Sequence, residues 1–516
     1  MKIANKIITL ILLAILLTSC TPQNDPVIIT FEQSELVINA NQYIEENKDI
    51  VNTSLKNKYH LTAPIGWIND PNGFSEFNGE YHLFYQYHPY SSEWGPMHWG
   101  HQTTKDFIKW NLEDVALAPD TDYDYNGCFS GTALVDNGVH YLAYTAVTEF
   151  QNQGMAYSYD GVTYKKLDEL LIDGSSLPED FSNNDFRDPK LFKRNGNYYI
   201  LVGNRDTKTG LKQIILFKSA NVTGPYEYVN VFYGRTDVGG ILECPDFVTI
   251  DGSDCLIFSP QSMRSDKDYE MQNVDSCLYL VGTFSTNTDK FYHSNQELQE
   301  FDKGFSFYAP QTMTTSDGRV ILTAWMRSWS EPNLTKLDNW CGAMTLPREL
   351  SLKDGHIYQK PIREIENYLV NMKTLDSLSI SNENKVIEDF EDRTSKISLT
   401  LDVARSTASK YGIEVFKGTK YATKIYYDST LGTVVFDRTN CGSMMDGKRY
   451  AKVEPINGKI KLDIFLDVNS VEVFINDGYY TMTGTTFTPE GNDSVALYSE
   501  GGVAYFENVN KWHINV

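Results

Sequence analysis

A chain of 516 residues is longer than one ordinary core supports, so two folded domains are the natural expectation. Its formal net charge of −23 argues against nucleic acid or an anionic membrane surface as partner and favours a neutral one. Aromatic residues make up 13%, with 33 Tyr and 8 Trp, which suits β structure and surfaces that face carbohydrate.

The first residues read as a targeting segment. Lys2 and Lys6 flank an apolar run at 7–17, too short to span a bilayer comfortably, which ends in Leu17-Thr18-Ser19-Cys20. That tetrapeptide resembles the lipobox of bacterial lipoproteins, which implies removal of residues 1–19 and a lipid anchor on Cys20 in the cell envelope. An ordinary secretory signal followed by an unrelated cysteine is the alternative. Residues 20–57 are polar and weakly patterned, and are expected to form a tether and lead-in. The other cysteines, Cys128, Cys244, Cys255, Cys277, Cys341 and Cys441, are scattered without a CxxC pair, so neither a zinc site nor a disulfide framework is expected.

From residue 58 a hairpin recurs. Asn78-Gly79, Asn137-Gly138, Asn195-Gly196, Asp251-Gly252 and Asp317-Gly318 each sit between two apolar runs, at intervals of roughly 60 residues. Five such units, each long enough for four strands, predict an all-β, five-bladed β-propeller over 58–358. A linker is expected at 359–370, around Lys360-Pro361. Beyond it, short alternating strands such as 396–403, 412–416, 424–427, 433–437, 459–466 and 470–475 predict a C-terminal β-sandwich over 371–516.

Counting back from the turn glycines places an acid at nearly one offset in three units: Asp70, Asp188 and Glu243. Asp70 lies between two turn formers in Gly66-Trp67-Ile68-Asn69-Asp70-Pro71-Asn72-Gly73, at the mouth of a strand. If those strands are innermost, three carboxylates meet at one end of the central funnel, an arrangement that perturbs all three. Glycoside hydrolysis needs such a set without any metal or cofactor: one carboxylate as nucleophile or base and one protonated acid for the leaving oxygen. Trp67, Trp94, Phe129, Trp325 and Trp340 are available to stack on sugar rings.

The motif Trp67-Ile68-Asn69-Asp70-Pro71-Asn72-Gly73, with Phe129-Ser130-Gly131, Arg187-Asp188-Pro189 and Glu243-Cys244-Pro245 in that order, resembles glycoside hydrolase family 32, the invertase type. The resemblance extends over residues 58–516, including Leu346-Pro347-Arg348-Glu349-Leu350. It implies a retaining hydrolase of β-fructofuranosyl linkages, with Asp70 as nucleophile, Glu243 as acid/base and Asp188 as transition-state stabiliser. It further implies that Trp67, Asn69, Gln86, Trp94, Phe129, Ser130, Arg187 and Asp302 bind the fructosyl unit. Arg187 is expected to keep Asp188 ionised and Glu243 to hold the proton. Wording such as Tyr85-Gln86-Tyr87-His88-Pro89 is most similar to the sucrose and sucrose-6-phosphate branch, whereas the export segment favours unphosphorylated sucrose or fructans. The alternatives are a five-bladed hydrolase of arabinan or xylan, and a non-catalytic glycan-capture lipoprotein.

Overall fold

The computed structural model describes residues 29–263, 268–293 and 298–516; the targeting segment and Cys20 lie outside them. The chain forms five antiparallel sheets in sequence order, then two six-stranded sheets stacked as a sandwich. In each of the five, one strand lies innermost: Gly66–Phe77, Gly127–Asp136, Phe181–Arg194, Leu242–Ile250 and Tyr308–Thr314. Each innermost strand touches those of the neighbouring blades, and the fifth touches the first. The ring is closed by Trp340–Cys341, which leaves blade five and pairs in parallel with Gly66 and Trp67 of blade one.

The recurring hairpins are where the sequence placed them. Asn78, Asn137, Asn195 and Asp251 have φ near +50° and the glycines after them φ between +75° and +85°. Two consecutive left-handed residues match the twist of the flanking strands, which is why Asn-Gly and Asp-Gly serve. The blades pack through apolar clusters between neighbours, such as Phe186, Leu191, Ile200 and Ile215 against Ala143 and Met155.

Every innermost strand is broken by an irregularity near its start. Arg187 faces Gly203, Glu243 faces Ser259 and Tyr308 faces Trp325, so these three hold equivalent register positions in blades three to five. The residues that follow, Asp188-Pro189, Cys244-Pro245 and Ala309-Pro310, are bulged, with Asp188, Cys244 and Ala309 at φ +67°, +47° and +50°. Proline fits there because a bulge demands no ladder donor. Glu243 is therefore not the counterpart of Asp188, although their offsets nearly agree; Cys244 is. A second irregularity between Asn72 and Ser75 gives blade one an extra residue, and that residue is what puts Asp70 and Glu243 equally far from their turn glycines.

The last blade strand ends at Pro361, a short turn of helix at Arg363–Tyr368 follows, and the first sandwich strand begins at Leu369. The seam between the two parts is polar and fully buried. Arg348 binds Asp302 at 3.1 Å and Glu472 at 2.6 Å, and His60 bridges Glu472 and Asp467 at 2.8 Å each. The lead-in is more ordered than its pattern suggested. Glu35–Asn47 is an α-helix capped by the Ser34 hydroxyl, and it buries Val37, Ala40 and Ile44. The i, i+3, i+7 spacing of those three was the overlooked signal.

Candidate active site

Where the innermost strands begin, Asp70, Asp188 and Glu243 converge on one cavity of about 330 Å³. Asn69, Gln86, Trp94, Phe129, Ser130 and Arg187 border it as the sequence led one to expect, joined by Gln151, Gln261 and Trp329. The floor is buried: Asn69, Asp70, Gln86, Ser130, Asp188 and Glu243 all lie below 9% exposure, whereas Trp94 and Trp329 are 50% and 37% exposed. The cavity therefore has a polar, buried floor and an aromatic rim.

Asp70 accepts a 2.6 Å hydrogen bond from the Ser130 hydroxyl on Oδ2, while its buried Oδ1 has no partner among the described residues. Burial and the neighbouring Glu243 push its carboxyl up to about 6, against the hydrogen bonds of Ser130, Asn69 and Cys244. Asp188 Oδ2 accepts the Cys244 backbone N–H at 3.0 Å. The Cys244 thiol lies 3.5 Å from both Asp70 and Asp188, holding the two carboxylates against one buried sulfur. Burial, then Glu243, raises the Asp188 carboxyl, partly opposed by Arg187.

Arg187 does not pair with Asp188, as expected from adjacency. It donates from Nε and Nη2 to Glu243 Oε1, at 2.9 and 2.8 Å. The bulge is the reason: it turns Asp188 away from Arg187 and leaves Arg187 and Glu243 abreast in adjacent blades. The third residue of that row, Tyr308, reaches Glu243 Oε2 with its hydroxyl at 2.7 Å and the Ser259 carbonyl at 3.1 Å.

Two expected contacts lie elsewhere. Asp302 is in the seam, bonded to Arg348, the Gly304 and Thr483 N–H groups and the Thr483 hydroxyl. Its backbone follows the edge of blade four toward the sandwich, so its charge is spent on Arg348. Trp67 is 6% exposed and lies behind the wall, donating to Asn69 at 2.9 Å and stacking beneath Trp329 with centroids 6.3 Å apart. Trp325 and Trp340 are packed in the interior. Gln151, Gln261 and Trp329 fall in no motif, and only the closure of the ring brings them to the cavity.

The family model "Glycosyl hydrolases family 32 N-terminal domain" matches residues 60–361, and its C-terminal counterpart matches 364–513. The chain belongs to glycosyl hydrolase family 32. Among relatives in this family, a raffinose invertase of Escherichia coli is 33% identical over 88% of this chain and 94% of its own length. A sucrose-6-phosphate hydrolase of Escherichia coli is 34% identical with the same coverage. Among solved family 32 structures, the Bombyx mori β-fructofuranosidase superposes with a TM-score of 0.79 at 29% identity, covering 93% of this chain and 98% of that one. The propeller and sandwich described above are the fold of this family.

Proposed function

We propose that the chain hydrolyses β-D-fructofuranosyl linkages with retention, through a fructosyl ester on Asp70. The observation that carries this reading is the buried Asp70 with one oxygen tied to Ser130 and the other unpartnered at the cavity floor. Such a carboxylate is fixed in direction and poorly solvated, which suits a nucleophile. Asp188, on the same floor, accepts sugar hydroxyls and stabilises the oxocarbenium-like charge. Glu243 protonates the departing oxygen and then activates water. The Tyr308 hydroxyl serves both states: it donates to Glu243 when that carboxylate is ionised. When Glu243 carries the proton, Tyr308 accepts it in a hydrogen bond and donates to Ser259 instead. Forming the ester removes the charge of Asp70 from the site and leaves Glu243 as the base that takes the proton of the attacking water.

The substrate is unphosphorylated sucrose or a fructan. Arg187 is the only cation bordering the cavity among the described residues, and its guanidinium is already engaged by Glu243 and Asp185. A phosphate would enter a cluster of acids without a free partner. Anchoring through a lipid on Cys20 in the cell envelope belongs to the same proposal, resting on the Leu17-Thr18-Ser19-Cys20 wording.

The test is reducing-sugar release from sucrose, inulin, levan, arabinan and sucrose-6-phosphate side by side, followed by azide rescue. Glu243→Ala should lose about 10²–10⁴ in kcat. With a fructoside of good leaving group it should form the ester, and azide should then release β-fructosyl azide of retained configuration. Release from arabinan alone, or azide rescue of Asp70→Ala with retention, would overturn the reading.

A further inference from the structure

Trp329 stands at the corner of a four-residue turn. The backbone N–H of Glu331 donates to the Ser328 carbonyl at 3.2 Å, and the Glu331 carboxylate reaches back to accept the Ser328 N–H at 3.1 Å. This turn lies in the excursion between Trp325 and Arg348 that leaves blade five, so no blade strand fixes its direction. The Ser306 hydroxyl of the propeller donates to Glu331 Oε1 at 2.8 Å, and the second domain grips the same oxygen. Glu331 Oε1 accepts from Nη1 of Arg438, a residue of the sandwich, at 2.9 Å, and both side chains are 6% exposed. Arg438 is itself immobilised, donating to the Thr485 and Asp446 carbonyls and lying 3.7 Å from the Phe305 ring centroid. Underneath, Arg327 donates to the Glu331 carbonyl at 2.6 Å and lies against the face of Trp67, the ring on which Trp329 stacks.

A ring 37% exposed at the rim, with a buried polar floor beneath it, lies where the leaving sugar must pass and not where the fructosyl unit sits. We infer that the β-sandwich is a specificity element: through Arg438 and Glu331 it sets the Trp329 platform that receives the leaving-group side of the substrate. This rests on the hydrolytic reading above. Glu331 and Arg438 are positioning residues, since neither borders the cavity. A second contact between the propeller loops and the sandwich supports the same arrangement. Gln272 and Asn273, in the blade-four loop that starts at Gln261, pair with Tyr450 and Arg449 on the strand that follows the Arg438 turn.

The experiment compares kcat/KM for sucrose with that for methyl β-D-fructofuranoside, whose leaving group is too small to reach the rim. Trp329→Ala should lower the ratio of the two by about two- to tenfold, the range of one aromatic contact. The pair change Glu331→Ala with Arg438→Met removes both charges together, so no buried ion is left unmatched. It should lower the ratio by a similar factor, chiefly through the KM for sucrose. Made in the Trp329→Ala background, the same pair change should lower the ratio no further. Equal losses on both substrates, or the same ratio change with and without Trp329, would overturn the inference. Should the pair variant not fold, Glu331→Gln keeps the size and the Ser328 contact but weakens the hold on Arg438; an unchanged ratio there would also overturn it. Wild-type enzyme inert toward both fructosides would instead refute the hydrolytic reading.

Discussion

The molecule buries two trios of carboxylates, and they are built to opposite ends. In the seam, Asp302, Asp467 and Glu472 face Arg348 and His60, and each of the three is bonded to at least one of them. In the funnel, Asp70, Asp188 and Glu243 share Arg187, which spends its donors on Glu243 and Asp185. The consequence is visible in proton affinity. Glu472 is held below the usual carboxylate range because Arg348 and His60 outweigh its burial, whereas burial wins at Asp70 and Asp188 and both rise. Buried acids with matched cations hold two domains in register. Buried acids left short of cations are poised to react.

The largest separation of the two should come from Asp70→Asn. Loss of the nucleophile should cut kcat on sucrose by more than about 10⁴-fold. Stability at pH 7 should rise, because the folded state no longer carries a carboxylate that prefers its proton up to about pH 6. Urea denaturation beside a kinetic assay measures both, and a loss of stability in this variant would erase the distinction. The counterpart is Arg348→Met. It strands Asp302 without its cation, leaves Glu472 only His60, and should cost about 3–5 kcal/mol of stability in urea, with kcat of the folded fraction within about twofold of the parent.

A pH series sharpens the contrast further. Burial alone would lower the His60 imidazole, but hydrogen bonds to Asp467 and Glu472 raise it to about 9. A group raised in the folded state stabilises fully below its unfolded value and loses that contribution as pH climbs toward 9. Wild type should therefore weaken by about 3 kcal/mol from pH 6 to 10 relative to His60→Gln. The funnel slopes the same way but at lower pH: Asp70 and Asp188 keep protons that the unfolded chain releases, so their share of stability falls as pH rises from about 4 to 7. The smallest effect is expected from Tyr308→Phe, which removes one hydrogen bond to Glu243 in either protonation state. A loss of roughly tenfold in kcat on sucrose, and less on a fructoside with a good leaving group, would fit one charge-assisted bond. Equal losses on the two would assign Tyr308 a purely structural part.

The sequence by itself determined the blades, because each rests on local chemistry. Asn-Gly and Asp-Gly accept two left-handed residues in a row, as at four of the five blade hairpins, and apolar alternation on either side then sets a hairpin. The same local rule made half of the twelve sandwich strands legible, Thr433–Asp437 and Ser470–Ile475 to the residue. Asp70, Asp188 and Glu243 could be named because motif and repeat agreed on them. What only the tertiary structure decided depends on register and on closure. One extra residue in blade one disguised Glu243 as the counterpart of Asp70, and a bulge moved Arg187 from one acid to another. Asp302 looked like a site acid until the sandwich supplied Arg348 and Thr483 for it. Trp329 and Gln261 have no local reason to face a sugar; they do so because the ring closes and a second domain packs against the loops that carry them. Turn chemistry acts over two residues and can be read along the chain, whereas pairing across roughly 100 residues, as between Glu331 and Arg438, exists only once the domains have met.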